Sequence, residues 1–487
     1  MAANFLHGVE TIEIQQGPRP IRQVKTAVVG LVGTAPTPLV AAADRTLNSP
    51  VLVLNDRDAA KYFSDQIPGY TIPQALNAIF DQGAGLVVVV NVFDPTNVTH
   101  FASITDQAKT LDSQDSLSLN HKGVWDVVVT NAAGTTTYVL NTDYRLDPVQ
   151  GKITRIKTGA MTAGQSLLID YKHGTPENVT NGQVIGTVDG FGNRTGMQAL
   201  LDAYSLFGFY PKVLIAPVFS GTAAVATEMD VIAEKVRAVA LVDAPAGATV
   251  QQAIEGRGPA GALNLNYSSD RIVICYPYVK TYNPVSDVVE NQPLSQRLAG
   301  VICAKDLERG YWWSPSNTEI KGIVGIERNL TAMINDPGSE VNLLNEVGIV
   351  TVFNSFGTGL RTWGNRSAAW PITTAPVNFI NIRRTADVIH ESVEFSMLQF
   401  IDFPIDNGLI DSVVQSVNSF LRTLKARGAI IDGNCSYDPN KNPATELALG
   451  HLTFDITFMP PPPAERITFE SFIDINFLNQ LGRPDVA

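Results

Sequence analysis

Cysteines, metal-ligand histidine patterns and long apolar runs are scarce or missing in this sequence, and each scarcity excludes a class of protein. The three cysteines, Cys275, Cys303 and Cys435, are odd in number and far apart, so we expect neither a disulfide framework nor a zinc site. The six histidines lack the spacing of metal ligands. No apolar run approaches the ~20 residues of a membrane-spanning helix, and the N-terminus has no signal-peptide pattern. We therefore expect neither a bound metal nor membrane insertion. We also expect the chain to be made in a reducing cytoplasm.

Positive charge is also scarce. The chain has 35 Lys and Arg against 47 Asp and Glu, a net charge of −12. Because nucleic-acid binding needs a basic surface, we expect no nucleic acid as a partner. At 487 residues and 45% hydrophobic content, the composition is that of a globular protein. A chain of this length usually forms about two to four domains.

Short apolar runs of the buried-strand type recur along the chain. They lie at residues 26–33, 85–93, 212–219, 271–278 and 347–353. Between several of them are helical patterns, at residues 72–80, 196–207 and 226–242. Strands buried on both faces and alternating with helices indicate a layered α/β core with a mostly parallel sheet. We place the two parts of this core at residues 25–95 and 181–370.

Residues 96–180 interrupt the α/β order. They contain alternating segments joined by turns with Gly and Asn, which predict hairpins. We expect a small, barrel-like β domain inserted into the core and exposed on the surface. It ends with His173-Gly174-Thr175, a tripeptide also found at the catalytic histidine of subtilisin-type hydrolases. No serine elbow accompanies it, so we interpret His173 as a turn residue without a catalytic role.

The glycine-rich stretch at residues 186–196 precedes a predicted helix, which is where a phosphate group could bind. It lacks the Gly-Lys-Ser/Thr ending of a phosphate-binding loop and the Gly-x-Gly-x-x-Gly spacing of a dinucleotide site. A loop with positive φ angles is the simpler interpretation. We therefore predict no cofactor and no enzymatic activity.

Residues 371–463 predict an α+β domain of two helices and two strands. The apolar stripe of the first helix is Ile389, Val393, Met397 and Phe400, and that of the second is Leu409, Val413, Val417, Phe420 and Leu424. The second helix ends at Gly428, a plausible C′ residue. Opposite its stripe lie Asp411, Gln415, Asn418, Arg422 and Lys425, with Arg427 close by. The cations at its end either complement the helix dipole or form a docking site for an acidic partner.

Both ends of the chain carry strand-like segments next to prolines. Pro460–Pro463 form a stiff polyproline strut of about 12 Å. Beyond the strut, Ile467, Phe469, Ile473, Ile475 and Phe477 share one face of an alternating pattern. At the other end, Ile12 and Ile14 precede Gly17-Pro18-Arg19-Pro20. Each strand is either an edge of its own sheet or an addition to the sheet of a neighbouring subunit. We define the arms as residues 1–24 and 464–487.

Four segments resemble the contractile tail sheath family of tailed bacteriophages, tailocins and related injection machines. Residues 299–326 resemble its Ala-Gly-Val, Asp, Gly-x-Trp and Pro-x-Asn core signature, and residues 363–367 its Trp-Gly-x-Arg element. Residues 381–393 resemble the Arg-Arg start of its C-terminal domain, and residues 450–470 its Pro-Ala-Glu-x-Ile ending. The resemblance covers essentially the whole chain. One departure is the run of four prolines, where shorter runs are more usual.

The resemblance implies a subtilisin-like core without a catalytic triad, and arms that add strands to the C-terminal domains of neighbouring subunits. The strand-exchange residues would be Ile12, Ile14, Ile467, Phe469, Ile473 and Ile475. The C-terminal domain would lie against the tail tube, with its attachment helix at residues 409–428. The tube-docking residues would be Arg422, Lys425 and Arg427.

The function that the resemblance implies is that of a sheath subunit in the virion tail or in a tailocin particle. Subunits would polymerise as stacked rings of about six around the tail tube protein, with baseplate and tail terminator proteins as further partners. Contraction would drive the tube through a bacterial envelope. The alternatives are a cell-surface lattice protein, which the missing signal peptide disfavours, and a serine hydrolase, which the missing serine elbow disfavours. Phage, tailocin and other injection systems remain open.

Overall fold

The computed structural model describes residues 20–481, apart from residues 285, 334, 355, 356 and 358. The predicted strand residues Ile12 and Ile14 lie outside the described residues. The first part of the core contains β1 (Val29–Gly33), β2 (Val51–Val53), α1 (Asp56–Phe63), α2 (Thr71–Asp81) and β3 (Val87–Asn91).

The regular elements of the inserted segment are strands as far as Gly174, and a 3-10 helix (Pro176–Asn178) follows them. These strands are β4 (Phe101–Thr110), β5 (Ser116–Ser118), β6 (Val124–Asn131), β7 (Thr137–Tyr138), β8 (Tyr144–Asp147), β9 (Lys152–Arg155) and β10 (Ser166–Gly174). They form two antiparallel sheets, in the orders β4-β10-β6-β7 and β5-β9-β8. Alternate residues such as Leu167, Ile169 and Tyr171 of β10 point into a shared apolar core. Because one face of each strand is buried and the other is in solvent, the alternating sequence pattern follows.

The second part of the core returns to alternating helices and strands. Its elements are α3 (Asn181–Ile185), α4 (Ala203–Phe207), β11 (Val213–Ile215), α5 (Ala223–Val236), β12 (Val239–Asp243), α6 (Val250–Gly256), β13 (Ile272–Cys275), β14 (Val279–Asn283), β15 (Val288–Gln292), α7 (Leu294–Glu308), β16 (Thr318–Glu319), β17 (Gly325–Ile326), α8 (Glu340–Glu346), β18 (Ile349–Asn354) and β19 (Leu360–Trp363). The C-terminal part contains α9 (Ile380–Met397), α10 (Asn407–Ala426), β20 (Asp432–Tyr437), α11 (Ala444–Ala448) and β21 (Phe454–Met459).

A nine-stranded sheet in the order β16-β19-β18-β13-β12-β11-β1-β3-β2 organises the core. The strands from β18 to β3 are parallel, and β2, β19 and β16 are antiparallel at the edges. In β3, Val87 and Val89 belong to an apolar cluster with residues of α2 and α7, while Val88 and Val90 belong to a second cluster with residues of α5. Because helices cover both faces of the sheet, consecutive residues of the strand are all apolar from Val87 to Val90. The prediction of a mixed α/β core is confirmed.

Two predicted helices differ from the observed ones. Residues 196–207 begin as a 3-10 helix (Gly196–Asp202) and only then continue as α4. The pattern at 226–242 was predicted as one helix, but α5 ends at Val236 and the apolar residues from Val239 form β12. Arg237 has φ +52°, a left-handed conformation that stops the helix. A short apolar run fits a buried helix and a buried strand equally well, which explains this error.

The C-terminal part packs α10 on α9 and on a hairpin of β20 and β21. The predicted stripe of α10 is buried, from Leu409 at 8% exposure to Leu424 at 0%. Leu421, which the pattern did not single out, is buried as well. After α10, Gly428 has φ +78°, as the predicted C′ position requires.

Candidate assembly surfaces

Helix α9 is fastened to the core by buried ion pairs. They join Lys212 to Glu391 at 2.5 Å, Arg271 to Asp387 at 2.7 Å and Arg384 to Asp306 at 2.6 Å, and each of these side chains is at most 7% exposed. Burial lowers the pKa of Lys212 and raises that of Glu391, while their mutual attraction opposes both shifts. Loss of one partner of a buried pair costs about 3–5 kcal/mol, because a charge is left uncompensated. These pairs therefore fix the register of α9 on the core.

The first described residues run along α9. The backbone N–H of Val24 donates to Ser392 Oγ at 3.2 Å, and that of Arg22 donates to Ser396 Oγ at 3.3 Å. Ile21 packs against the apolar cluster of the C-terminal part. The end of the predicted N-terminal arm is thus held on α9 of its own chain.

The hairpin of β20 and β21 is a two-stranded sheet whose two outer edges differ. On the β20 side, the side chain of Asn418 on α10 forms two hydrogen bonds with the backbone of Cys435. The Cys435 N–H donates to Asn418 Oδ1 at 2.8 Å, and Asn418 Nδ2 donates to the Cys435 carbonyl oxygen at 2.8 Å. Helix α10 therefore closes this edge.

The β21 edge of the same sheet is open. Cys435 lies opposite Ile456 in the antiparallel register. The N–H and C=O of Cys435 point towards α10, so Cys435 and Ile456 form a non-hydrogen-bonded pair of the antiparallel ladder. In such a pair the N–H and C=O of both residues point outwards, so those of Ile456 point away from β20. The part of the chain that the structure describes supplies no third strand here. An unpaired edge of this kind can take up an additional strand.

The described part of the C-terminal arm, residues 464–481, lies outside any sheet. Residues 464–474 form neither helix nor strand, and Ile475–Gln480 form a 3-10 helix. Its apolar side chains are exposed: Ile467 at 70%, Phe469 at 89%, Phe472 at 85%, Ile473 at 103%, Ile475 at 73% and Phe477 at 67%. Ile475 and Phe477, predicted on the strand face, are in the 3-10 helix of the single chain. The pairing of this arm with the sheet of a neighbour stays a prediction.

The three predicted tube-docking cations lie near the end of α10 and are exposed, but their surroundings differ. Lys425 pairs with Asp432 at 3.0 Å. Arg427 Nη1 lies 3.4 Å from Gln23 Oε1 of the N-terminal segment. Among the described residues, Arg422 has no hydrogen-bonding or ion-pair partner. The structure therefore brings the three together on one helix end, and leaves Arg422 the most available to another molecule.

The candidate histidine lies in a strand, so the interpretation of His173 as a turn residue was wrong. It is the penultimate residue of β10, and its ring stacks on that of His121 with centroids 3.7 Å apart. His121 Nδ1 is 2.8 Å from the hydroxyl oxygen of Tyr171. Burial lowers the pKa of His121, and His173 adds to that shift. Neither hydrogen bonds nor ring contacts link His173 to a serine within the described chain.

The glycine-rich stretch forms a loop with positive φ angles at Gly186 and Gly192, as predicted, and Gly196, which also has a positive φ angle, begins the 3-10 helix that follows. Its tip carries Phe191, which is 96% exposed. Within the described ranges, no group of three or more His, Cys, Asp and Glu residues is arranged to hold a metal ion. No described helix is both long enough and apolar enough to cross a membrane.

Comparisons with known proteins give these surfaces a context. A family model described as the phage tail sheath protein central domain matches residues 192–368, and one described as the phage tail sheath C-terminal domain matches residues 373–474. The tail sheath protein of Burkholderia phage BcepMu is 48% identical over 480 residues, which are 98% of each chain. This chain belongs to the phage tail sheath protein family.

Other similarities of this sheath protein are weaker but equally long. The tail sheath protein of Escherichia phage P2 is 26% identical over 98% of both chains. A sheath chain of the extracellular contractile injection system PVC, in the contracted state, has a TM-score of 0.58 at 14% identity and covers 98% of this chain and all of that one. The contracted helical sheath of the anti-feeding prophage also gives 0.58, at 15% identity over 97% of this chain and all of that one. The inserted residues 96–182 match a family model of unknown function.

Two structural roles in this sheath protein were missed from its sequence. Asn418 was assigned to the exposed polar face of α10, whereas it is hydrogen bonded to β20. Arg366 and Glu465 lie in two separate family signatures, and an ion pair at 2.5 Å joins them. No local pattern identifies either contact, because the partners are distant in sequence.

Proposed function

We propose that this sheath protein polymerises as stacked rings of about six subunits around the tail tube, in an extended state that contracts and drives the tube through a bacterial envelope. The arms would link the subunits by strand exchange. The observation that carries this proposal is an open β21 edge in a protein whose C-terminal arm exposes its apolar side chains. The arm needs a partner that buries its apolar side chains, and the β21 edge needs a strand that pairs with its backbone N–H and C=O groups.

The exposed arm is costly for a free subunit. Soluble monomers rarely expose a contiguous apolar patch of more than a few hundred Å². Burying one Ile, Leu or Phe side chain stabilises a complex by about 1.5–3 kcal/mol. Burial of Ile467, Phe469, Ile473 and Ile475 in a neighbour would thus supply a driving force for polymerisation, and added backbone hydrogen bonds would fix the register. Ile12 and Ile14 would act in the same way from the N-terminal arm.

The open edge also indicates where an incoming strand would bind. Asn418 occupies the outer edge of β20, so we propose that the arm of a neighbour joins β21. Strand addition at this edge satisfies the outward N–H and C=O of Ile456. The polyproline strut would span the distance between the donor and the acceptor sheet.

The exposed cations at the end of α10 would dock the sheath on an acidic surface of the tail tube protein. Arg422, Lys425 and Arg427 form the candidate contact, and Arg422 is its most available member. The alternative is that these cations only complement the dipole of α10, which is worth about 0.3–1 kcal/mol each.

The energy for contraction would come from the assembly itself. We propose a subtilisin-like core without catalytic activity, and neither a nucleotide nor a metal in the mechanism. In that case the extended lattice must be metastable, and contraction must form better contacts between subunits. Baseplate and tail terminator proteins would hold the two ends of the polymer. The sheath would be made and assembled in the host cytoplasm and would function in the virion tail or in a tailocin particle.

Deletion of residues 465–487 tests strand exchange. It removes the exposed arm and Glu465, the ion-pair partner of Arg366, but none of the nine-stranded sheet, so the monomer is expected to stay soluble and to keep its secondary structure. Polymerisation is expected to be lost, because β21 edges then receive no strand. Sedimentation and electron microscopy measure polymerisation. A variant that lacks residues 1–16 tests the N-terminal arm in the same way. Long, regular sleeves from the arm-deleted protein would show that the arms do not link subunits.

A further inference from the structure

Two signature segments that are far apart in sequence meet at the base of the C-terminal arm. Arg366 comes from the Trp-Gly-x-Arg element, and Glu465 from the Pro-Ala-Glu ending. Arg366 Nε donates to Glu465 Oε1 at 3.0 Å, and Nη2 donates to Oε2 at 2.5 Å. Such two-point pairing of a guanidinium with a carboxylate fixes both distance and orientation.

The guanidinium of Arg366 is held in place before it meets Glu465. It lies between the rings of Trp370 and Phe379, 4.0 Å from each centroid. Its Nη1 donates to Asn378 Oδ1 at 2.8 Å, and Asn378 is fully buried. A planar cation that is already ordered loses little conformational entropy when it binds a carboxylate. The pair is therefore stronger than a typical surface ion pair.

A second contact lies four residues before the first. Asn381, in the first turn of α9, donates from Nδ2 to the carbonyl oxygen of Pro461 at 3.2 Å and to that of Trp312 at 3.0 Å. Asn381 is 2% exposed. Because residues 460–463 are prolines with a fixed φ, attachment at Pro461 and at Glu465 sets the direction of the whole strut.

Beyond this point the hydrogen bonds of the arm are local. Within the described chain, none of residues 466–481 is hydrogen bonded or ion paired to a residue before the arm. The hydrogen bonds there are local, such as that of the Asn476 N–H to Asp474 Oδ1 at 2.8 Å. The last polar contact between the described arm and the core is therefore that of Glu465.

We propose that Arg366 is the positioning residue of the C-terminal arm. It clamps Glu465 to the core, so that the arm leaves the subunit in one direction, towards the sheet it joins. This inference rests on the proposed strand exchange.

The clamp would also carry mechanical force. Strand β21 ends directly before the strut, so a force on an unclamped arm would pull β21 away from β20. With the clamp, the pull passes through Glu465 to the core.

The first test measures the arm direction in the unassembled subunit. All three native cysteines are buried, so Arg466→Cys and Leu307→Cys can be spin labelled selectively. Leu307 is 68% exposed on α7 and gives a fixed reference point. We expect a narrow distance distribution, and loss of that narrow distribution in Glu465→Ala. Glu470→Ala is the matched control, because Glu470 is an exposed glutamate of the free part of the arm, and it should leave the distribution narrow. An unchanged distribution in Glu465→Ala would overturn the clamp.

The second test measures assembly. We expect the critical concentration for polymerisation to rise by about tenfold in Glu465→Ala, which corresponds to ~1.4 kcal/mol per subunit, and to stay unchanged in Glu470→Ala. Arg366→Lys, which keeps the charge but loses the planar two-point pairing, should fall between them. If Glu465→Ala broadens the distances and polymerises normally, the positioning role is wrong while strand exchange stands. If the protein lacking residues 465–487 polymerises normally, strand exchange itself is wrong.

Discussion

Asp243 shows at the residue scale how the core holds a charge that would otherwise be unfavourable. It ends β12, is 1% exposed, and accepts hydrogen bonds from the Ser295 N–H at 2.9 Å and the Ser295 hydroxyl at 2.5 Å. Ser295 lies in the first turn of α7, so the carboxylate stabilises a helix N-terminus. Burial nevertheless raises the pKa of Asp243 to about 6, and the hydrogen bonds only partly oppose this shift.

A pH dependence of stability follows from this raised pKa. The unfolded value is about 3.9, so the stabilising contribution is complete below pH ~4 and is lost as the pH rises through ~6. The change is of the order of 3 kcal/mol for this group. Asp243→Asn cannot ionise, so its thermal midpoint should gain on that of the wild type between pH 4 and pH 7. Asp112→Asn is the control: the Ser116 backbone N–H lowers the pKa of Asp112, so the contribution of Asp112 changes only below pH ~4, and the midpoints of this variant and the wild type should stay parallel between pH 4 and pH 7. Parallel midpoints of the wild type and Asp243→Asn across this range would contradict the prediction.

At the scale of the element, α10 combines a buried face with an exposed, positively charged end. Its apolar stripe packs on α9, and Asn418 holds β20 from the side. Its C-terminal end presents Arg422, Lys425 and Arg427. Since Lys425 already pairs with Asp432 within the chain, the helix end carries less free positive charge than its sequence indicates.

Reversal of these three cations to Glu tests tube docking. The side chains are exposed, so the variant monomer should remain folded. Decoration of isolated tail tubes should be abolished, and in the wild type it should weaken with added salt, because exposed charges are screened beyond about 8–10 Å. Arg422→Glu alone is expected to cause the largest single loss, since Arg422 is the most available of the three. Normal decoration by the triple variant would leave only the dipole role.

At the scale of the whole molecule, one helix connects the core to both ends of the described chain. The core contains the nine-stranded sheet, and buried ion pairs join α9 to it. The N-terminal segment is held at Ser392 and Ser396 of α9, and the C-terminal strut at Asn381 of the same helix. Helix α9 is therefore the common attachment of both arms.

Replacement of Ile473 and Ile475 by Asp tests the molecule as a unit of a lattice. Both side chains are exposed in the single chain, so the monomer should fold normally. In a neighbour's sheet they would bury two unpaired carboxylates, and this cost should expel the strand. Pelleting of sleeves should be lost although the arm is present. The control is Glu470→Ala in the same arm, and sleeves of normal length from the double Asp variant would contradict burial of this face.

The sequence determined those features that depend on local periodicity. The apolar run of β3, the stripe from Leu409 to Leu424 and the alternating pattern of residues 96–180 predicted buried strands, an amphipathic helix and hairpins, and all three are observed. Each signal lies within a few consecutive residues, where side-chain spacing reflects which face is buried. The family signatures added the membership that the comparisons show.

Only the tertiary structure decided how distant groups pair. Arg366 and Glu465 are 99 residues apart, and Arg271 and Asp387 are 116 apart. Their charges carry no periodic pattern, so the sequence could not show which partner each one has. The same holds for Asn418, whose spacing on α10 fits an exposed polar face, whereas the packing of β20 turns it into an edge contact. The end of α5 at Val236 was likewise set by the sheet, because the next apolar run fits β12 between β11 and β13.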